Sequence, residues 1–472
     1  MNPSGYELRS IFRKRQLAWA LGALLLAAAP TAFGLDLMQS YRLALQQDSR
    51  YQAALADTAA NREAVPQAFS QLLPNISASL MRDKNQTDSR TPGFLGQLVS
   101  SRYDYLGSSY VLSLRQPLYR KYNFAQYQQA KSQVVSAEAS LDKSRQDMLV
   151  RLCGAYFEDL MARDQMALIE AQKQAYAAQL KGAKLSFQAG QGTRTDIDDA
   201  QARYDMVLAQ ELEAQHNLGY TRRQLEVIIN RPAKQLARLD PARMELAAPS
   251  PADPEKWIAQ AEQSNAELRA ARANIESAKL ELEKAKAGQY PTVDLVASRS
   301  NSLSENDVTI NQRYLTTSVG VQVNIPLFAG GYVNSQERQA ADNLEKYRQQ
   351  YEGARRELDL QVQKEYQNVT EGILKIRALE QAERSADQAV FSNKKGLQAG
   401  TRTQVDILNA EQQRFNARRD LAQARYQYIL ARVRLHGLVG SINNQEIALI
   451  NSWLSDKAPG AAAMEGLPCN CN

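Results

Sequence analysis

The chain is poor in the residues that most chemistry needs. It has two histidines, His216 and His436, and three cysteines, Cys153, Cys469 and Cys471. Metal-ligand spacing is therefore absent, and one isolated cysteine plus a close pair near the C-terminus do not make a disulfide framework. There is no nucleophile elbow and no phosphate loop; the short GxG and GxxG fragments near Gly190 lack that context. These absences argue against an enzyme and against any cofactor or metal. Aromatics are only 7% of residues and form no stacking array, and no basic cluster underlies the formal charge of +6, so no nucleic-acid partner is expected.

Long hydrophobic runs are scarce too. Leu17 to Ala29 is apolar but too short to span a bilayer, and Arg9, Arg13, Lys14 and Arg15 precede it. Residues 1–34 read as a signal peptide cut after Gly34. No cysteine stands at that junction, so no N-terminal lipid is expected. Removing four basic and one acidic side chains lowers the formal charge to +3.

What is present is helix-forming sequence, written twice. Ala, Gln, Glu, Lys, Arg and Leu dominate. Proline is missing from Phe124 to Gln188 and again from Val333 to Ala399. QAGQGTRTDIDDA from Gln188 is echoed by QAGTRTQVDILNA from Gln398, with Gly190 and Gly400 aligned 210 positions apart. The same offset carries Asp196 onto Asp406 and Tyr156 onto Tyr366. The spacing predicts a first repeat over 35–230 and a second over 255–450, joined by a Pro/Ala-rich linker at 231–254. A disordered tail is expected over 451–472. Long helices are expected over 122–188 and 333–399, each on the order of 100 Å long at 1.5 Å rise per residue. Shorter helices are expected over 37–72, 195–230, 257–288 and 403–439, lying antiparallel to the long ones.

Between helices the apolar period changes from 3.6 to 2. PNISASL, SYVLSLRQP, PTVDLVAS and SVGVQVNIP alternate apolar with polar or small residues. They predict strands over about 75–85, 105–116, 291–303 and 313–325, with Pro74, Pro117, Pro291 and Pro326 at the helix–strand junctions. Loops then fall at about 86–104 and 304–312. Two isolated hairpins cannot persist alone in water, and in lipid every sheet edge must be closed. Four strands are too few to close a barrel, so the chain is expected to associate with copies of itself, three copies giving twelve strands.

By these features the chain resembles the TolC family of outer-membrane export channels. The likeness is carried by LMQSYRLALQQDSRYQAAL, SQLLPNISASL, NIPLFAGGYVNSQ and AGTRTQVDILNAEQ, and it covers essentially the whole chain after the leader. It implies a mainly α fold with a transmembrane β-barrel: a homotrimer whose twelve-stranded barrel in outer-membrane lipid continues into a twelve-helix periplasmic tunnel, with the loops at about 86–104 and 304–312 extracellular. It also implies a periplasmic membrane-fusion adaptor and an inner-membrane ABC transporter as partners. The missing lipobox cysteine leans toward type I secretion of protein cargo rather than drug efflux. A periplasmic coiled-coil adaptor or scaffold is the further alternative. Gly190 and Gly400 are expected at the periplasmic tips. The resemblance implies a closing link from Thr195 and Asp196 to Arg402, and an inner ring from Asp406 and Asn409. Asn409 departs from the family's usual aspartate there, and Leu397 replaces a family tyrosine.

Overall fold

The computed structural model describes residues 34–304, 312–442 and 444–455. The expected signal segment, most of the loop at 304–312 and the cysteine pair at Cys469 and Cys471 lie outside the described residues.

The first repeat opens with α1 (Leu37–Gln47), α2 (Ser49–Arg62) and α3 (Ala64–Ser70), where one helix was expected. Asp48 makes the break. Its carboxylate accepts from the Tyr51 amide at 2.8 Å and pairs with Arg151 at 2.7 Å, so it caps a new helix instead of continuing the old one. Asn265 does the same between α6 (Pro254–Ser264) and α7 (Ala266–Lys286), accepting from the Glu267 and Leu268 amides. The continuous helices expected over 37–72 and 257–288 are corrected accordingly.

The long helices are α4 (Lys121–Gln188, 68 residues) and α8 (Tyr332–Gln398, 67 residues). Each turns back into a shorter partner, α5 (Arg194–Ile229) and α9 (Gln404–Leu438). Among the described residues no helix is long and apolar enough to cross a membrane.

Strands β1 (Asn75–Pro92), β2 (Leu98–Tyr119), β4 (Thr292–Ser304) and β5 (Gln312–Asn324) form one antiparallel sheet in the order β1-β2-β4-β5. The two hairpins, far apart in sequence, thus meet along β2 and β4. Only residues from Ser108 onward in β2 pair with β4; the rest of β1 and β2 rises as a two-stranded ribbon closed at residues 93–97. Most of the segment expected as a loop at 86–104 is therefore paired strand. RDKNQTDSRT is polar on both faces, so no alternation marks it, and backbone pairing with an Arg102–Asp88 contact of 2.9 Å holds it. Pro117 lies inside β2, not beyond it, at a register shift between Pro117 and Tyr119 where the ladder needs no donor.

Register assigns the faces. Ile76, Ala78 and Leu80 stand opposite Leu114, Leu112 and Tyr110, and Val293, Leu295 and Ala297 stand opposite Val323, Val321 and Val319. Many of these are well exposed, Leu80 and Val319 at 73%. The other face carries a serine row across all four strands, Ser77–Ser113–Ser298–Ser318, with Oγ–Oγ distances of 2.8 Å in both hairpins.

The main core sits at the waist, where Tyr41, Leu152, Tyr156, Phe157, Trp257, Tyr428 and Ile429 are buried together. The linker and the segment ending at Ser455 belong to it. β3 (Arg238–Leu239) pairs with β6 (Leu454–Ser455), which follows α10 (Asn444–Ser452). Trp453 is 2% exposed. The disordered tail expected over 451–472 is corrected for 451–455, where Trp453 and Leu454 bury apolar surface against the linker; residues 456–472 lie outside the described residues.

Candidate functional site: the hairpin tips

Each tip is built by the same local chemistry. Gly190 and Gly400 adopt φ of +71° and +72°, the left-handed conformation that stops a helix with little cost only at glycine. The Gln191 amide donates to Ser186 O at 2.9 Å and the Thr401 amide to Gly396 O at 2.9 Å, closing both helices with a six-residue wrap. The chain then restarts on a reciprocal cap. Thr193 Oγ1 accepts from the Asp196 amide while Asp196 Oδ2 accepts from the Thr193 amide at 2.9 Å. Thr403 and Asp406 repeat this at 2.8 Å. Those bonds from Thr403, its backbone amide first, hold the Asp406 carboxyl below its ordinary range.

The expected site residues are distributed differently from one another. Thr195 is exposed in the first turn of α5 and is not the cap; Thr193 is. Asp196 is occupied by its own helix start. Arg402 is exposed and folds back over the last turn of α8, where a Cβ placed on Gly396 would lie 2.6 Å from Arg402 Cγ. Within one chain Arg402 makes no ion pair with Asp196 among the described residues. Asn409 instead accepts from Arg203 Nη2 at 2.7 Å, a bond from the first hairpin to the second.

Three further groups join or lock the hairpins. Tyr176 on α4 donates to Gln412 Oε1 on α9 at 2.8 Å. Glu411 on α9, 1% exposed, is held by Lys394 of α8 at 2.9 Å and by Arg414. Asp164 on α4 accepts from the Tyr426 hydroxyl at 2.5 Å. Burial raises both groups' pKa values, Asp164 chiefly by desolvation and Tyr426 by desolvation plus the neighbouring carboxylate. None of these pairs repeats at the 210-residue offset, so the duplication gave no signal for them. They needed the register between hairpins.

A sheet apolar on one face, serine-rich on the other and open at both edges, set end to end with helices on the order of 100 Å long, defines a channel-tunnel protein of the outer membrane. Comparison with known proteins agrees. The outer membrane efflux protein family model matches residues 40–231 and 257–441. The alkaline protease secretion protein AprF of Pseudomonas aeruginosa is 34% identical over 94% of this chain and 93% of its own. The outer membrane protein TolC of Vibrio cholerae is 29% identical over 93% of this chain and 99% of its own. The crystal structure of the V. cholerae outer membrane protein VceC superposes with a TM-score of 0.73 at 19% identity, covering 86% of this chain and 96% of that one. The chain belongs to the outer membrane efflux protein family, and its place is the outer membrane with a helical tunnel in the periplasm.

Proposed function

We propose that three copies close into one pore that serves as the exit duct of a type I secretion system for proteins. The carrying observation is the sheet. β1 and β5 each have a neighbour on one side only, while the exposed face is apolar. In lipid such edges must be paired. Joining β5 of one copy to β1 of the next gives twelve strands without changing the fold of any copy. The chain carries no transport energy source of its own, so an inner-membrane ABC transporter drives it through a periplasmic adaptor at the tips. Protein cargo is the reading favoured by the proteins it resembles, AprF and the proteases secretion protein PrtF of Dickeya chrysanthemi, the latter 31% identical over 93% of this chain.

The tips are the gate. Because Arg402 and the Thr195–Asp196 pair are exposed or half-exposed and not joined within one chain, their link runs between neighbouring copies. Three exposed pairs at ~0–1 kcal/mol each would total at most about 3 kcal/mol, a barrier that a docking partner can overcome. Asp406 lines the constriction, three carboxylates to the ring, with Asn409 drawn toward Arg203.

The test is a deletion strain compared with its parent for extracellular proteases and drug susceptibility, alongside purification from outer-membrane fractions. Heat-resistant trimers and loss of secreted protease are expected. A detergent-free soluble monomer would refute the channel, and altered drug susceptibility with an unchanged extracellular proteome would refute the cargo.

A further inference from the structure

At the foot of the sheet one buried carboxylate serves two guanidiniums. Asp294 on β4 is 2% exposed. Its Oδ2 accepts from Arg115 Nε at 2.9 Å and Nη2 at 2.6 Å. Arg120 donates from Nε to Oδ1 at 2.8 Å and from Nη2 to Oδ2 at 2.6 Å. Two cations on one anion leave one positive charge per chain. Arg120 sits at the start of α4 with its side chain 28% exposed, whereas Arg115, on the serine-bearing face of β2, keeps 53%.

Within the four-stranded sheet nothing on that face offsets the excess; its first carboxylate, Asp83 of β1, lies beyond in the two-stranded ribbon. Moving away from the foot, its residues are Asn75, Ser77, Ser79 and Met81, then Ser113, Val111 and Ser109, then Val296, Ser298 and Ser300. On β5 they are Asn324, Gln322, Gly320, Ser318 and Thr316. None is ionisable. The helix end beside the foot does not compensate either, since Glu283 is shared between Lys121 at 3.4 Å and Lys286 at 3.3 Å. Arg115 shares a concavity with Gln322 and the serine row.

We propose that three copies of this Arg115–Asp294–Arg120 cluster form an electropositive ring where barrel meets tunnel, and that the ring biases permeation toward anions, including carboxylate-rich stretches of an exported chain. This rests on the trimeric-channel reading above. Rings of arginine in a pore with low-dielectric walls concentrate counter-ions. The ring is set against Asp406 at the tips, so the two ends of the helical tunnel carry charges of opposite sign. Its reach follows the Debye length, roughly 30 Å at 0.01 M salt and 10 Å at 0.1 M, so dilute salt sharpens it.

The experiment measures reversal potentials of purified protein in planar bilayers under a KCl gradient in dilute salt. Arg115→Gln should lower the chloride-to-potassium permeability ratio about twofold, Arg115→Glu further, with both effects shrinking in concentrated salt. Arg115→Lys keeps the charge but not the fork, and should retain the wild-type ratio. Gln322→Glu keeps all three cluster residues and places a carboxylate directly across the strand pair from Asp294, in the concavity that Arg115 lines. It should lower the ratio as Arg115→Gln does, which covers the case where the arginine variant does not assemble. Conducting Arg115→Glu and Gln322→Glu channels with unchanged ratios would overturn the ring, as would a lysine variant that behaves like glutamine. No conductance from the wild type would overturn the channel reading and the ring together.

Discussion

At the waist, Tyr156 buries its ring completely and donates its hydroxyl to Leu35 O at 3.0 Å and Ala237 O at 3.1 Å, with Phe157, Tyr428 and Trp453 packed nearby. At the tip, the apolar clusters shrink to groups such as Leu180, Ala183 and Ala200. There the order comes from caps and from polar bonds such as Arg203–Asn409. One pair of long helices therefore has two mechanical regimes. Dense apolar packing holds the waist as a unit, because any opening exposes a large area to water. A tip held by solvent-exposed polar bonds can rearrange at small cost, because water replaces what is lost. A gate belongs at the second kind of site.

The contrast can be broken from either end. Phe157→Ala should be the most damaging change, costing about 3–5 kcal/mol of stability and depleting folded protein from the outer membrane; denaturant titration and immunoblotting of membrane fractions measure it. Leu180→Ala, beside the tip, should cost less on the same titration. If the two were equal, the division into regimes would fail.

At the tip itself, Arg203→Ala and Arg402→Ala should raise basal conductance and antibiotic leakage while leaving the denaturant midpoint within about 0.5 kcal/mol of wild type. Wild-type single-channel conductance in both variants would remove the gate assignment. The double variant tests whether the two links are coupled. If Arg203–Asn409 and the Arg402 contact act independently, the gains should combine.

The half-buried Asp164–Tyr426 contact allows a subtler test. The folded-state pKa of Asp164 is raised above its unfolded value, so between those two values the folded chain keeps a proton that the unfolded chain has released. Stability should therefore fall as pH rises through that window, and the loss should be complete above the folded pKa. Asp164→Asn should flatten this dependence between pH 4 and the folded pKa, seen as a smaller change in midpoint across a pH series. An unchanged slope would count against burial as the cause.

Cys153 gives the smallest effect and the cleanest local probe of the waist. Its thiol is buried, and desolvation pushes its pKa up to about 12. At pH 8 the thiolate population should be ~1000-fold below that of an ordinary cysteine, so in a Cys469→Ser/Cys471→Ser background maleimide labelling should need denaturant. A thiol introduced at the tip by Thr401→Cys should label at once. Rapid mass shift at Cys153 in the folded protein would show that the waist opens readily.

Much of this architecture was legible before folding. The Gly190 and Gly400 echo fixed the two tips, because only glycine adopts that backbone cheaply. Alternation in PNISASL and SVGVQVNIP marked strands, because one face meets apolar surroundings and the other does not. The breaks at Asp48 and Asn265 were missed because each is a single residue whose choice between continuing and capping depends on what it meets; for Asp48 that partner is Arg151, distant in sequence. The ribbon above the sheet was missed because a strand with two polar faces carries no period.

The sequence by itself determined the duplication, the glycine stops of the two long helices, the apolar and polar faces of the hairpins and the family resemblance, since each is written in residues close together along the chain. Only the tertiary structure decided which hairpin edge meets which, that Asp294 is divided between Arg115 and Arg120, that Arg203 holds Asn409, and that Trp453 returns to close the waist. The physical reason is separation: these bonds join residues tens to hundreds of positions apart, and their partners are chosen by the register of packed helices and strands, which no local pattern encodes.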